Sequence, residues 1–242
     1  PMLYEVRSLW EERYKGVNRF LDIIFGSITF VETFAMFLSN EVIAINKTLG
    51  LELKSRFLLK NQKIHIIENA VNLERISIKK AERKVKVFAY IGTISPIEGL
   101  DLLIKAFIIL HEEGLKNKLF LYGDGVMLSE LKKLAKDCDF IEFKGRFLQD
   151  QISDVYSEVD IIVNPRKKTF LTDSVTPLKP LEAMGYKKLI MASNIGGMRE
   201  IIENGKTGIL FNPDSIQSIK SEIYSVLNMK DYSCIVENAS SY

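Results

Sequence analysis

The sequence predicts an α/β protein whose main domain is a Rossmann-like parallel sheet. From Val85 onward, short apolar runs alternate with longer amphipathic runs. Short apolar runs are typical of strands that are buried on both faces, and the amphipathic runs between them fit the helices that connect parallel strands. Turn-forming residues follow several of the apolar runs, as at Gly92, Gly123 and Asn164. Hydrophobic residues make up 47% of the chain, which is ample for a globular core.

The order of these runs predicts part of one domain followed by a nearly complete second one. Residues 1–75 contain strands predicted at 2–6, 41–45 and 63–67 and helices predicted at 17–38 and 46–57. Residues 84–232 contain the regular alternation, with strands predicted at 85–91, 119–122, 140–143, 161–163, 189–192 and 208–210. The helices of this region are predicted at 100–111, 126–135, 152–157, 178–184, 198–202 and 214–227. The charged segment 76–84 lacks a strong period, so it is predicted to be the linker.

The overall composition excludes several classes of function. The net charge of +2 among 242 residues provides no field for a polyanion, and no basic run is long enough to indicate a nucleic-acid partner. Cys138 and Cys234 form neither a metal-binding spacing nor a disulfide framework. We therefore expect a reducing, cytoplasmic location, and no signal peptide.

Residues 20–38 are nearly apolar enough and long enough to span a bilayer. The segment contains Asp22 and Glu32, and each acidic side chain near the middle of a membrane helix would cost about 2.5–3.5 kcal/mol. We therefore predict a mostly buried helix. Peripheral contact with the inner face of the plasma membrane stays open as an alternative.

The chain is organised around residues 172–197, where a loop, a helix and a buried strand follow one another. Residues 172–174 are predicted to be a polar loop that leads to Thr176-Pro177 and then to a helix with Pro180 in its first turn. The unpaired N–H groups of a helix N-terminus favour anions, so the turn around Thr176 is a candidate phosphate site.

Two charged residues of this helix share one face. Lys179 and Glu182 are three positions apart, a spacing that places side chains next to each other on a helix. The lysine could neutralise a phosphate group, and the glutamate could accept hydrogen bonds from sugar hydroxyls.

The glycines of Gly123-Asp124-Gly125 follow a predicted strand and precede a helix. Leu128 occupies the position of the third glycine in a dinucleotide-binding fingerprint, so that motif is incomplete. A tight turn is the favoured interpretation, and ligand contact is the alternative.

The sequence TPLKPLEAM at 176–184, followed by IMAS at 190–193 and the glycines at 196–197, resembles the donor-binding segment of glycosyltransferase family 4. This resemblance extends over nearly the whole chain and implies a GT-B fold, in which two Rossmann-like domains enclose the active site. The sequence YEVRSLWE at 4–11 resembles a bacterial branch that builds cell-surface polysaccharides.

The resemblance also implies that the chain is truncated. The family's first strands and its N-terminal glycine-rich loop have no counterpart before residue 75, and no further helix is predicted after Tyr232. We expect residues 1–75 to be a remnant of the acceptor-side domain and 84–232 to be the nucleotide-sugar-binding domain.

By the same resemblance, Glu182 corresponds to the second glutamate of a paired-carboxylate motif, which binds ribose hydroxyls in the family. The first glutamate corresponds to Ser174, which is not a carboxylate, so the neighbouring Asp173 is expected to substitute for it. Gly145 and Arg146 correspond to the place where the family holds the base, largely through the backbone.

The positions that hold the donor diphosphate in the family depart from its pattern. An arginine usually follows the glycine at Gly92, and a lysine usually occupies position 98, but this chain has Thr93 and Glu98 there. A partly desolvated diphosphate needs compensating cations. Arg166 and Lys179 are expected to provide them, and the alternative for Arg166 is a solvated arginine in a basic run.

These implications define the predicted site. The expected catalytic residues are Asp173, Arg166 and Lys179. The expected donor-binding residues are Gly92, Thr93, Gly145, Arg146, Thr176, Pro177, Leu178 and Glu182. On the acceptor side we expect Arg7 and Glu11, which follow the first strand.

The function implied by the resemblance is retaining glycosyl transfer from a nucleotide-diphosphate sugar to a saccharide or a lipid-linked saccharide. No metal and no other cofactor is expected. Two alternatives stay open: a catalytically silent donor-binding or scaffold domain, favoured by the departures at Thr93, Glu98 and Ser174, and a nucleotide-sugar epimerase of similar architecture.

Overall fold

The computed structural model describes residues 1–9, 19–79 and 86–241, and for residues 19–25 and Arg75 it describes the backbone only. The chain forms two compact units. The N-terminal unit comprises Pro1–Ala70 and Thr169–Thr176, and the C-terminal unit comprises Val71–Lys168 and Pro177–Tyr242.

Most of the predicted strands and helices are present, with ends that differ by at most three residues. The strands are β1 (Leu3–Val6), β2 (Glu41–Ala44), β3 (Ile64–Ile66), β4 (Val87–Ile91), β5 (Lys118–Tyr122), β6 (Ile141–Gly145), β7 (Ile161–Asn164), β8 (Leu189–Ser193) and β9 (Ile209–Phe211). The helices are α1 (Arg19–Leu38), α2 (Lys47–Ser55), α3 (Leu100–Glu112), α4 (Leu128–Leu134), α5 (Ile152–Ser157), α6 (Phe170–Ser174), α7 (Leu178–Gly185), α8 (Gly196–Arg199), α9 (Ile216–Asn228) and α10 (Ser233–Ser240).

The N-terminal unit is built on a parallel sheet of order β1-β2-β3. Its core is formed by apolar side chains from the strands, α1, α2 and α6, among them Val6, Met36, Val42, Leu49 and Leu171. Asn46 caps α2, because its side-chain oxygen accepts a hydrogen bond from the Leu49 amide at 2.6 Å.

Helix α1 shows that the prediction of a mostly buried helix was wrong. Met36 and Thr33 are buried, but Phe30, Phe34 and Phe37 are 65%, 45% and 47% exposed. One face of the helix packs on the small core of this unit, and no described residue covers the apolar face on the other side. None of the described helices meets the length and hydropathy that a membrane-spanning helix requires.

Residues 172–174, predicted to be a polar loop, belong to the short helix α6. Thr169 caps this helix: its hydroxyl oxygen accepts a hydrogen bond from the Thr172 amide at 3.1 Å. The Ser174 hydroxyl donates to the Phe170 carbonyl at 2.8 Å. Polar residues that also favour loops satisfy the backbone of this turn, and five residues are too few to show a helical period.

The C-terminal unit is built on a parallel sheet of order β6-β5-β4-β7-β8-β9. After β4 the chain adds strands on one side, and from β7 it adds them on the other side, which is the doubly wound order of Rossmann folds. Alternate side chains of each strand point to opposite faces. Phe88 and Tyr90 belong to one apolar core with α3, α4 and α9, and Val87, Ala89 and Ile91 to another with α5, α7 and α8.

Helix α10 follows Tyr232, where the sequence predicted no further helix. It contacts α7, and Ala239 is buried in the core beneath that helix. Its sequence, SCIVENAS, alternates small, polar and apolar residues over only two turns, which explains why the pattern did not indicate it.

The loops that follow β4 and β5 approach each other closely, and two glycines make this possible. A Cβ atom at Gly123 would lie 1.9 Å from the Gly92 carbonyl oxygen, and one at Gly125 would lie 2.1 Å from the Ile94 carbonyl oxygen. Both glycines have positive φ angles, +124° and +159°. The turn itself comes slightly later than predicted, where the Leu128 amide donates to the Gly125 carbonyl at 3.0 Å, and the two glycines provide space for the neighbouring backbone.

We expect Gly123→Ala to lower the free energy of unfolding by about 3 kcal/mol or more, because it adds backbone strain and a clash with a backbone atom that cannot move alone. Gly114→Ala is the matched control, since Gly114 also has a positive φ angle but no atom lies within 4 Å of the added Cβ. Thermal and urea denaturation of both variants measure the difference. Equal losses would contradict the close approach of the two loops.

Candidate functional site

A charged cluster lies at the carboxyl ends of β4 and β7, the two strands at which the sheet reverses its order. In open α/β sheets this position is where ligands bind. Gly92 directly follows β4, and Arg166 is the second residue after β7. Lys179 lies in the first turn of α7. The structure thus brings together three of the residues that the sequence predicted.

The ammonium group of Lys179 is held against β4. Its Nζ donates a hydrogen bond to the Tyr90 hydroxyl oxygen at 2.6 Å and lies 4.7 Å from the centre of the Tyr90 ring. It is also 3.5 Å from Oε2 of Glu98. Three contacts therefore hold the ammonium group, while 30% of the side-chain surface stays exposed.

Gly92 makes the position of Lys179 possible. Its φ angle is +149°, and a Cβ atom there would lie 2.3 Å from both Cε and Nζ of Lys179. Any larger residue would therefore displace the ammonium group from the end of β4. Gly92 was predicted to lie at the edge of the sheet where ligands bind. Its lack of a side chain leaves the space that the end of Lys179 occupies.

Tyr90 connects this lysine to the loop after β4. It is fully buried, and its hydroxyl donates a hydrogen bond to the Thr93 carbonyl oxygen at 2.7 Å. Burial, and then the charge of Glu98, raise the pKa of the Tyr90 hydroxyl far above its ordinary value. The phenol therefore stays protonated, donating to Thr93 while accepting from Lys179.

The surroundings of Lys179 lower the pKa of its ammonium group. Burial is the main cause, and the positive charge of Arg166 acts in the same direction, whereas the negative charge of Glu98 opposes both. An anionic ligand would add negative charge beside this group and so favour its protonated form.

Glu98 and Arg166 form a buried pair. Glu98 is only 6% exposed and Arg166 only 9%. Nε of Arg166 lies 3.7 Å from Oε1 of Glu98. Within the described part of the chain, Glu98 Oε2 and two nitrogens of Arg166, Nε and Nη1, are buried without a hydrogen bond. The pair is therefore held by charge at a distance longer than a hydrogen bond, and the alternative of a solvated arginine does not apply.

Glu182 lies one helical turn after Lys179 on α7 and is half-buried. The Tyr156 hydroxyl donates to its Oε2 at 3.5 Å, and the Tyr156 ring stacks on Tyr186 with centroids 4.1 Å apart. Burial raises the pKa of the Glu182 carboxyl, and the hydrogen bond from Tyr156 opposes that change. A carboxylate here can accept hydrogen bonds from hydroxyl groups of a ligand.

The N-terminus of α7 offers fewer donors than an ordinary helix. Pro177 is its N-cap residue, and Pro180 has no N–H group. The amides of Leu178 and Lys179 therefore remain as the first-turn donors. Leu178, which was predicted to contact the nucleotide-sugar donor, is 52% exposed.

Other predicted donor-binding residues lie at or just beyond the same ends of the strands. Thr93 is exposed. Arg146 is also exposed and forms an ion pair with Asp124 at 2.9 Å. Gly145 has a φ angle of +74°, and its carbonyl accepts a hydrogen bond from the Gly123 amide at 2.7 Å.

The remaining predicted residues belong to the N-terminal unit. Asp173 is half-buried on α6. Thr176 is buried, and its hydroxyl oxygen accepts a hydrogen bond from the Asn46 side-chain amide at 2.7 Å. Arg7 is exposed and forms an ion pair with Glu5 at 2.9 Å. Glu11 lies outside the described residues.

Sequence analysis did not identify Tyr90 or the part that Glu98 plays. Tyr90 lies inside an apolar strand, where an aromatic residue is expected for packing alone. Glu98 was noted only as a departure from a lysine. Its position between two cations depends on contacts with β7 and α7 that no local pattern indicates. Among the described residues, no group of histidine, cysteine, aspartate and glutamate side chains could hold a metal ion.

Comparison with known proteins identifies relatives of this chain. The capsular polysaccharide biosynthesis glycosyltransferase CapM of Staphylococcus aureus is 24% identical over 93% of this chain and 60% of its own length. The lipopolysaccharide 1,2-N-acetylglucosaminetransferase of Salmonella typhimurium is 30% identical over 64% of this chain and 42% of its own length. The chain therefore spans less than two thirds of the length of either relative.

Solved structures share the fold. Sucrose-phosphate synthase from Thermosynechococcus elongatus matches 99% of this chain and 62% of its own, with a TM-score of 0.80 and 17% identity. Anabaena HepE, in complex with UDP and glucose, matches 100% of this chain and 66% of its own, with a TM-score of 0.77 and 18% identity. At these identities the likeness concerns the fold alone, and it confirms the predicted GT-B type.

The family model of the glycosyl transferases group 1 matches residues 73–241. This match covers more than half of the chain and includes the whole six-stranded sheet, its loops and the charged cluster. The chain belongs to the group 1 glycosyl transferases.

Proposed function

We propose that this chain binds a nucleotide-diphosphate sugar in its C-terminal unit and serves retaining transfer of the sugar to a saccharide or a lipid-linked saccharide. The observation that carries the proposal is the partly exposed side chain of Lys179, whose ammonium group lies where the sheet reverses its order, with the carboxyl of Glu182 one turn further on the same helix. The similarity to CapM, a glycosyltransferase of capsular polysaccharide biosynthesis, supports the cell-surface role.

In this proposal the diphosphate lies at the carboxyl ends of β4 and β7. Lys179, the α7 amides of Leu178 and Lys179, and the charge of Arg166 stabilise it. Glu182 accepts hydrogen bonds from the ribose hydroxyls. The loops at Thr93, Gly145 and Arg146 contact the phosphates and the base. HepE carries UDP in its structure, which makes UDP a reasonable first nucleotide to test.

The chemistry of transfer places positive charge on the anomeric carbon and negative charge on the departing phosphate. Catalysis then consists mainly of stabilising the leaving diphosphate and orienting the two substrates. Lys179 supplies most of the charge, because Arg166 is paired with Glu98. The departing phosphate accepts the proton of the acceptor hydroxyl, so the proposal needs neither a dedicated base nor a metal, and a chelator is expected to leave transfer unchanged.

The acceptor side is proposed for the N-terminal unit, with Arg7 and Glu11. The exposed apolar face of α1 supports peripheral contact of this unit with the cytoplasmic face of a membrane, where a lipid-linked acceptor would be found. Phe30, Phe34 and Phe37 form a row of stacked rings along it, with centroids 6.3 and 6.4 Å apart.

Nucleotide binding provides the first test. UDP, GDP, ADP or CMP at 100 times its Kd would add about 2.7 kcal/mol to the free energy of unfolding, which raises the Tm by several degrees. Lys179→Ala should weaken the nucleotide that binds by about 10- to 100-fold, the value of one charged hydrogen bond. Lys105→Ala, at an exposed position of α3, is the control that should keep wild-type affinity.

Three results would separate the alternatives. Binding that survives Lys179→Ala and Glu182→Ala contradicts the site. Binding without transfer to any saccharide supports the silent donor-binding domain. Release of free sugar and nucleotide from the donor in the absence of an acceptor supports the epimerase.

Replacing Glu182 by glutamine should raise the stability of the protein and weaken its binding of nucleotide. Because burial raises the pKa of its carboxyl, ionisation opposes folding, and the group favours folding most below the unfolded value of about 4.3. Glu182→Gln should therefore have a higher Tm than wild type near pH 7, and the difference should vanish as the pH falls below about 4. The variant should also lose most of its stabilisation by nucleotide. Glu130→Gln, an exposed change on α4, should alter neither property.

Membrane contact can be tested by sedimentation with vesicles made of phosphatidylglycerol and phosphatidylethanolamine. The variant Phe30→Ser/Phe34→Ser removes exposed apolar surface from α1 and should reduce the bound fraction severalfold, since binding scales with buried apolar area. Phe57→Ser, which removes an exposed ring outside α1, is the control. Equal binding of wild type and the double variant would exclude α1 as the contact.

A further inference from the structure

The cluster at the ends of β4 and β7 contains a carboxylate at a place proposed to bind an anion. Glu98 lies between Arg166 and Lys179, 3.7 Å from Nε of the first and 3.5 Å from Nζ of the second. A carboxylate repels phosphate, so its burial beside the two cations needs an explanation that the proposed transfer does not supply.

Backbone contacts fix Glu98 relative to Arg166. The Lys167 amide donates a hydrogen bond to the Ile97 carbonyl at 2.9 Å, which joins the two loops on either side of the pair. Gly99 has a φ angle of +66°, and a Cβ atom there would lie 2.0 Å from the Pro165 carbonyl oxygen. The two loops are in direct backbone contact, which holds the backbones of Glu98 and Arg166 beside each other.

Lys179 is held differently. It reaches the cluster from α7 through side-chain contacts only, and its side chain is 30% exposed, compared with 8% for Glu98 and 10% for Arg166. It can therefore turn from Glu98 to a ligand without moving the backbone. One negative and two positive groups leave the cluster with a single net positive charge, and that charge resides on the most accessible of them.

We propose that Glu98 is a specificity-determining residue of this phosphate site: by cancelling the charge of Arg166, it limits how strongly the site prefers ligands with more phosphate charge. The inference rests on the proposed function, since it assumes that the cluster binds the donor diphosphate. A released nucleoside diphosphate carries about one more negative charge than the donor sugar diphosphate near pH 7. A low net charge therefore weakens retention of the product relative to the donor.

The test is the affinity of wild type and Glu98→Gln for UMP, UDP and UTP, or for the same series of whichever base raises the Tm of wild type. The variant should bind every member more tightly. The gain should grow by about threefold for each added phosphate charge, the value expected for charges roughly 6 Å apart in a solvated site. Isothermal titration at low ionic strength measures these ratios, and added salt should reduce the gain.

A second variant shows how large a graded gain one added positive charge produces at this edge of the sheet. Thr93 is exposed on the loop after β4, so Thr93→Lys adds a cation at the same edge without disturbing the buried pair. It should reproduce the graded gain. Glu98→Asp, which keeps the charge, should retain the wild-type ratios, and Glu112→Gln, an exposed change on α3 with the same change in net charge, should do so as well.

The outcomes distinguish this inference from the proposed function. If wild type binds none of the nucleotides, the proposed function fails and the inference fails with it. If wild type binds and Glu98→Gln weakens all three ligands equally, or strengthens them equally, then Glu98 only supports the structure and the inference alone is wrong. A gain that rises from UMP to UTP in Glu98→Gln and is absent from Glu98→Asp supports it.

Discussion

The close approach of three loops at the carboxyl edge of the six-stranded sheet is the constraint on which the candidate site depends. Gly123 lets the loop after β5 contact the backbone at Gly92, and Gly99 lets the loop after β4 contact the backbone at Pro165. These contacts leave no space for side chains between the loops. Gly92 then provides the space that the end of the Lys179 side chain occupies. Packing of backbone on backbone thus leaves the space that holds the Lys179 ammonium group at the end of β4.

The charges of the cluster follow from this packing. Glu98 and Arg166 are buried on loops joined by a backbone hydrogen bond, and each would be costly to bury alone. Lys179 is stabilised differently, by the hydroxyl and ring of Tyr90. The cluster therefore contains a buried pair, Glu98 and Arg166, and a more exposed cation, Lys179. The pair lies on loops that a backbone hydrogen bond joins, whereas Lys179 is held by side-chain contacts alone. The first two residues are thus held in place by the packing of their loops, and only Lys179 is free of such backbone contacts.

The N-terminal unit presents a different physical situation. It is a parallel sheet of three described strands, and its long helix α1 keeps much of its apolar surface exposed within the described part of the chain. The chain spans less than two thirds of CapM, to which it is similar over most of its own length. Asn46 shows how the segment 169–176 belongs to this unit: its amide donates to the Ser174 carbonyl and to the Thr176 hydroxyl oxygen. Thr176, which was predicted to bind the donor, thus helps to fasten this segment to the N-terminal unit.

The sequence by itself determined the α/β class, the strands from β4 to β9 and the helix that carries Lys179 and Glu182, because local hydrophobic period and turn residues depend only on neighbours along the chain. It also showed that Thr93 and Glu98 stand where the family that the chain resembles usually has an arginine and a lysine. It did not determine α6, whose five residues satisfy their backbone through Thr169, or α10, or the exposure of α1, which depends on how much sheet is available to cover it. The pairing of Glu98 with Arg166 and the hydrogen bond from Lys179 to Tyr90 were decided by the tertiary structure alone. They join residues 68 and 89 positions apart, and only the order of strands in the sheet brings such residues together.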